Sequence, residues 1–210
     1  TGLDRSFHDR PPYGNLSLTM RAYSRLKRVD YTQRPTGIDL GSQLEKHAID
    51  PAHVFLTHLH ADHTGGLPAV PGRSHLYYGK RERTLLARLL CGNHLRERSS
   101  VHLLDMDAGT ALTPFSRVVD VFGDATFWAV STPGHTRDHV TYLINAAPTP
   151  LLVVGDAELT TWAMQDEILV SAVGGARARR EVHRSAEMIR RFHAMYPHVQ
   201  VWFSHDEDHL

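Results

Sequence analysis

The sequence predicts a mixed α/β fold of the α+β kind, and three observations carry that reading. Four apolar runs of strand character each deliver an imidazole or a carboxylate at the same end. They are His53 to Thr57 before His58, Thr126 to Val130 before Ser131 to His135, Leu151 to Val154 before Gly155-Asp156, and Val199 to Phe203 before Ser204-His205-Asp206. A long helical pattern runs from about Ala176 to Met195, with Val182, Ala186, Ile189 and Phe192 at core-facing spacing. Strands and helices are interspersed, which taken alone says α/β or α+β and no more.

The first run leads into the densest chemistry in the chain. His58-Leu59-His60-Ala61-Asp62-His63 places three imidazoles and a carboxylate within six positions, a metal-ligand composition. In extended backbone His58 and His60 point to the same side, because the side-chain period is two. Gly65-Gly66 is then expected to turn the loop back tightly, using freedom that only glycine has. The plain alternative is a histidine-rich surface loop or a purification remnant. The spacing and the place at a strand end speak against it.

The other elements follow in order. Asn15 to Met20 alternates weakly and reads as an edge strand; Gln33 to Gly37 reads as a loop. Asp39, in Ile38-Asp39-Leu40-Gly41, has two readings, one of them the cap of a helix over residues 42–48. His75 to Tyr78 reads as a strand, and Lys80 to Cys91 as an amphipathic helix with Leu85, Leu86, Leu89 and Leu90 on one side. Val101 to Leu104, Val118 to Phe122 and Val140 to Ile144 are further short strands. Gly174-Gly175 precedes the long helix, which carries Arg177, Arg179, Arg180, Arg184, Arg190 and Arg191. Most of these are expected at the surface. One or two near the glycine pair are candidates to face a substrate, and the sequence does not say which.

At 210 residues, with 41% hydrophobic content, the chain suits a single domain spanning residues 1–210. Lys+Arg and Asp+Glu balance at 23 each, so bulk charge points to neither nucleic acid nor a membrane surface. No apolar run approaches the roughly 20 residues a membrane helix needs. Cys91 is the sole cysteine, which rules out an intrachain disulfide and fits a reducing compartment. It reads as a buried helix-end thiol rather than a nucleophile. A cytoplasmic location is expected; a secreted or periplasmic one stays open, because the sequence starts at Thr1.

The six-residue motif, followed in order by His135, Asp156 and His205, closely resembles the metallo-β-lactamase superfamily over residues 38–206. The resemblance implies a four-layer αββα sandwich with metals at one edge between the sheets. It also implies a ligand set. His58, His60 and His135 would hold one metal, Asp62, His63 and His205 the second, with Asp156 bridging and a hydroxide between the ions. Seven ligands are too many for one tetrahedral zinc and suit two metals. Two zinc ions are the expected cofactors, with iron or manganese permitted. Such a pair ionises bound water near pH 7 and polarises a carbonyl. Asp62 is the candidate to orient the nucleophile and pass a proton to the leaving group. Thr136 or His139 is the candidate to steady ligands from behind, although His139 also reads as a strand residue satisfied by the backbone. The Asp39 element is similar to an early aspartate of the family that supports the metal loop. The remaining histidines, at 8, 47, 53, 75, 94, 102, 183, 193, 198 and 209, match no ligand position; His209 is near enough in sequence to His205 to line the site mouth.

Within the superfamily the expected activity is hydrolysis of a small-molecule ester, lactone or thioester, lactonase-like first. Asp156-Ala157 and His205-Asp206 resemble the lactonases that open N-acyl homoserine lactones, although Leu159 stands where those enzymes usually carry a tyrosine. Thr132 to Thr136 resembles glyoxalase-II-like thioesterases, whose glutathione-binding helical region would lie beyond Leu210. β-Lactamases rank last, since many use a cysteine ligand where Asp156 stands. An iron-dependent persulfide dioxygenase, which generally uses one metal and fewer ligands, is the non-hydrolytic alternative, and a degenerate binder would have lost a ligand. The sequence leaves the oligomeric state open, a homodimer being common among enzymes of this family.

Overall fold

In the computed structural model, the described residues are 4–9, 14, 16–28, 37–82, 95, 98–145, 149–166, 168, 169 and 175–206. The chain divides into two compact units, Thr1–Tyr78 with Arg83–His102 and Gly79–Glu82 with Leu103–Leu210.

The first unit contains α1 (Ser6–Asp9), α2 (Leu18–Lys27), α3 (Leu40–Lys46), β1 (His53–Phe55) and α4 (Ala61–Thr64), with most of β2 (His75–Gly79) and β3 (Ser100–Leu104). Its strands are ordered β1-β2-β3, with β1 parallel to β2 and His53 opposite His75. The core of the unit is Leu56, Leu59, Leu67, Leu76 and Tyr78. β2 is buried on both faces, Leu76 and Tyr78 on one and Tyr77 on the other, as suits a strand in parallel pairing.

One expectation changes here, and one of two open readings is observed. The weak alternation ending at Met20 is helical: Ser17 Oγ accepts from Met20 N at 3.2 Å, and α2 starts at Leu18. A side-chain cap that satisfies an orphan amide outweighs a short run of β pattern. Arg21 reinforces it, donating to Leu16 O at 2.8 Å and to Gly14 O at 2.9 Å. Asp39 is a helix cap: its Oδ1 accepts from Ser42 N at 3.0 Å and its Oδ2 from Ser42 Oγ at 2.6 Å. Burial opposes ionisation of Asp39, but the Ser42 bonds and nearby Arg5 outweigh it and hold the carboxyl below its ordinary range. Of the helix expected over Lys80 to Cys91, Lys80–Glu82 forms a 3-10 turn; residues 83–91, Cys91 among them, lie outside the described residues.

The second unit contains β4 (Thr110–Leu112), β5 (Phe115–Asp120), β6 (Phe127–Ser131), β7 (Val140–Ile144), β8 (Leu151–Gly155), α5 (Thr161–Gln165), α6 (Gly175–Met195) and β9 (Gln200–Phe203). The six strands form one sheet in sequence order, antiparallel up to β8, with β9 parallel to β8. Between β8 and β9 the chain passes through α5 and α6, the kind of crossover that a parallel pair requires. α6 buries Val182, Ala186, Ile189 and Phe192, as their spacing predicts, together with Ala178 and Ser185. Ile189 is fully buried and Phe192 stacks on Phe115 at 5.0 Å between ring centroids. Truncating such a side chain costs roughly 2–5 kcal/mol. Among the described residues, no helix is long and apolar enough to cross a membrane.

Candidate metal centre

In the first unit β1 ends at Phe55, and the chain then passes a bend at Thr57 and reaches His60 before turning into α4. His60 is extended (φ −69°, ψ 158°), while Asp62 and His63 sit in the single turn of α4. The turn is closed by Gly65 N donating to Ala61 O at 2.7 Å and Thr64 Oγ1 donating to His60 O at 3.0 Å. This packs the three imidazoles together. The His58 ring lies 4.5 Å from that of His60 and 4.1 Å from that of His63. Asp62 Oδ2 is 3.7 Å from His63 Nε2, with the Asp62 side chain half-exposed and His58 wholly buried. Gly65 and Gly66 are buried but right-handed (φ −61° and −81°), so the expected use of glycine's left-handed freedom is absent there.

Thr57 organises this half. Its hydroxyl lies 3.1 Å from His58 Nδ1 and 3.5 Å from His63 Nδ1. With Nδ1 of each ring turned to the threonine, Nε2 is the nitrogen each would offer a metal, the arrangement in which a neighbour sets a ligand's orientation.

In the second unit three separate elements bring His135, Asp156 and His205 together. Asp156 follows β8, where Gly155 takes a left-handed conformation (φ 63°). Its carboxylate is almost buried, with Oδ2 3.4 Å from His135 Nε2 and both oxygens 3.4 Å from His205 Nε2. His205 follows β9 and is tied down by its N donating to Leu159 O at 3.2 Å. Asp206 accepts from Thr161 N at 3.0 Å and from Thr161 Oγ1.

Behind Asp156 runs a fully buried polar chain. Asp156 N donates to His139 Nε2 at 3.1 Å, and His139 Nδ1 lies 2.9 Å from Thr132 Oγ1. Thr132 Oγ1 lies 3.0 Å from Thr141 Oγ1, which donates to Val154 O at 3.0 Å. Only one direction satisfies every member. His139 is therefore the neutral Nδ1–H tautomer, assigned from the network. His139 does the steadying, while the Thr136 hydroxyl is buried without a hydrogen-bond partner.

The loop that carries His135 is clamped from two sides. A Cβ on Gly134 (φ 135°) would lie 2.4 Å from Val182 N of α6. A Cβ on Gly79 would lie 2.2 Å from Asp138 O, and Asp138 Oδ2 accepts from Arg81 N at 2.7 Å. Asp138 N in turn donates to Glu82 Oε1 at 2.9 Å. Desolvation raises the Asp138 carboxyl above its usual range.

Thr57, Thr132 and Thr141 are the supporting residues that sequence reasoning missed. A threonine directly before a ligand at a strand end is a visible signal for Thr57; the other two become neighbours only through sheet pairing. His209, expected near the site mouth, lies outside the described residues. The donor atoms suit a metal. Ligands at about 2.0–2.1 Å around a tetrahedral zinc stand about 3.4 Å apart, the separation found between Asp156 and each of its two histidines.

Comparison with known proteins agrees with this chemistry. Residues 32–192 match the family model of the metallo-beta-lactamase superfamily. The chain is 27% identical to the N-acyl homoserine lactonase AttM of Azorhizobium caulinodans over 159 residues, which cover 70% of this chain and 59% of that protein. It is 32% identical to a hydroxyacylglutathione hydrolase of Pseudomonas putida over 103 residues, 49% of this chain and 32% of that one. It thus spans less than two thirds of either relative. Its fold is similar to a solved N-acyl homoserine lactone hydrolase with N-hexanoyl-L-homoserine bound at the catalytic metal centre, at a TM-score of 0.63 and 18% identity, over 81% of this chain and 63% of that one. It is also similar to AidC, a dizinc quorum-quenching lactonase, at a TM-score of 0.56 and 17% identity, over 84% of this chain and 65% of that one. With the family model covering most of its length and the histidine and aspartate clusters at its strand ends, the chain belongs to the metallo-β-lactamase superfamily.

Proposed function

We propose that the chain is a dinuclear metal-dependent hydrolase of a small ester, lactone or thioester, with a lactone as the favoured substrate. The observation that carries this reading is the Asp156 carboxylate lying 3.4 Å from Nε2 of both His135 and His205, the placement a bridging ligand needs. We assign His58, His60 and His135 to one metal, Asp62, His63 and His205 to the other, and Asp156 to both. Zinc suits these donors first, and iron or manganese second. When bound, two such ions supply water ionised near neutral pH and polarisation of the scissile carbonyl.

The chain's own residues do the rest. Thr57 holds His58 and His63 through their Nδ1 atoms, and His139 holds the backbone of Asp156. Asp62, the most exposed carboxylate of the set, orients the nucleophile and carries a proton to the leaving group. Leu159 offers no phenol to a lactone carbonyl; its own carbonyl instead accepts from His205 N. The likeness to AttM supports the lactone, and that to hydroxyacylglutathione hydrolase supports a thioester as the second reading. A homodimer belongs to this proposal and is checked by light scattering.

The test is metal content per chain on protein purified without chelator or added metal, joined to a panel of homoserine lactones, thioesters, aryl esters and a cephalosporin. Two zinc ions with lactone opening support the reading. One iron with oxygen consumption, or two zincs without turnover on any of the panel, overturns it.

A further inference from the structure

A cavity of about 780 Å³ lies in the second unit between α6, β5 and the loop bearing His135. Six arginines line it: Arg177, Arg184 and Arg191 from α6, and Arg81, Arg117 and Arg137 from the other walls. The three on α6 recur every seven residues, so they fall on one stripe of the helix. Three carboxylates share the lining, Asp138, Glu181 and Glu187. They do not balance the arginines. Asp138 Oδ2 is spent on Arg81 N, Glu181 on Arg177, and Glu187 approaches Arg190, which is outside the cavity lining. Arg81 and Arg117 share Asp107. Arg184 and Arg191 have no ion pair among the described residues, and Arg137 has none within 4 Å, although its charge acts on the neighbouring Asp138 carboxyl.

Uncompensated guanidinium groups repel one another, and a hollow that gathers them has a cost that a bound anion removes. Arginine's planar fork matches phosphate oxygens in bidentate pairs. Seven residues of helix rise about 10 Å, beyond the reach of one phosphoryl group. The volume falls within the range of small-molecule pockets. The chain as a whole is formally neutral, which is not the footprint of a nucleic-acid binder. We propose that this cavity binds a small molecule bearing two phosphoryl groups, with Arg137, Arg184 and Arg191 as its principal anion ligands. The site is independent of the metal chemistry proposed above.

The test is calorimetric titration of the metal-loaded chain with a hexose 1,6-bisphosphate, with citrate, sulfate and a single-stranded oligonucleotide as parallel arms. The expected result is saturable one-to-one binding of the bisphosphate, at least tenfold tighter than citrate or sulfate. It is expected to weaken tenfold or more in Arg184→Gln/Arg191→Gln, and to persist in Asp156→Ala, where the metal site is damaged. Arg137→Gln, a single exposed change, serves if the double variant unfolds. Absence of saturation, equal affinity in the arginine variants, loss of binding in Asp156→Ala alone, or tighter binding of citrate or of the oligonucleotide would each overturn the proposal.

Discussion

The backbone N–H of Asp156 donates to His139 Nε2 at 3.1 Å, and this contact determines the protonation of a buried histidine that touches no solvent. Because Nε2 accepts, Nδ1 must carry the proton toward Thr132, and the chain of donors ends on Val154 O, two residues before Asp156 itself. The network is closed on β8. It fixes the backbone of Asp156 without using the carboxylate, which is left to lie between His135 and His205.

His139→Phe keeps a flat aromatic ring, a somewhat larger one, and removes both nitrogens, leaving Asp156 N and Thr132 Oγ1 without that partner. Metal affinity is expected to fall roughly 10–100-fold, with activity falling alongside. Competition against a chromogenic chelator measures it. Unchanged affinity would show that β8 alone positions Asp156.

Asp156→Ala is expected to abolish turnover while leaving the far-UV dichroism and cooperative unfolding of the chain in place. The substitution empties the space between His135 and His205 and removes no core contact. Turnover at the wild-type rate would remove Asp156 from the proposed bridging role.

Gly134→Ala tests the clamp on the His135 loop. Its Cβ would meet Val182 N at 2.4 Å, from backbone at φ 135°, so either α6 or the loop must move. A loss of about 2 kcal/mol or more in urea unfolding is expected, with weakened metal binding. Wild-type stability would mean the two backbones separate at little cost.

Glu158 ties stability to pH. It is fully buried, with Oε1 3.0 Å from Arg190 Nη1 and Oε2 without a hydrogen-bond partner. Burial, only partly offset by Arg190, pushes its carboxyl up to about 7. The folded chain therefore keeps this proton at pH values where the unfolded chain has released it. The stability it contributes is full below the unfolded value of 4.5 and is lost as pH rises to about 7. The difference is on the order of 2–4 kcal/mol. Urea unfolding of wild type and Glu158→Gln at pH 5 and pH 8 reads it: the gap between the two proteins should shift in favour of the variant at pH 8. A gap independent of pH would assign the carboxyl an ordinary titration.

Much of the architecture was legible because periodicity survives folding. The runs at residues 75–78, 101–104, 127–130, 140–144, 151–154 and 200–203 are strands, and the stripe Val182, Ala186, Ile189, Phe192 is the buried face of α6. The failures were local. At Ser17 a capping hydroxyl turned a weak strand pattern into a helix, and at Gly65-Gly66 the backbone needed no left-handed residue. β4 and α5 were not anticipated, being three and five residues long and too short for a period to emerge.

Sequence alone determined the superfamily and the identity of the candidate donors, since both depend on residue type and order along the chain. What the tertiary structure decided is which groups meet. Sheet pairing brings Thr132, Thr141 and His139 behind Asp156, and the β8 and β9 ends set Asp156 against His135 and His205. Of the arginines on α6, folding assigns Arg190 to Glu158 and turns Arg177, Arg184 and Arg191 to the cavity. No spacing rule contains that information, because hydrogen bonds and ion pairs between residues 17 to 49 positions apart depend on distances that only packing sets.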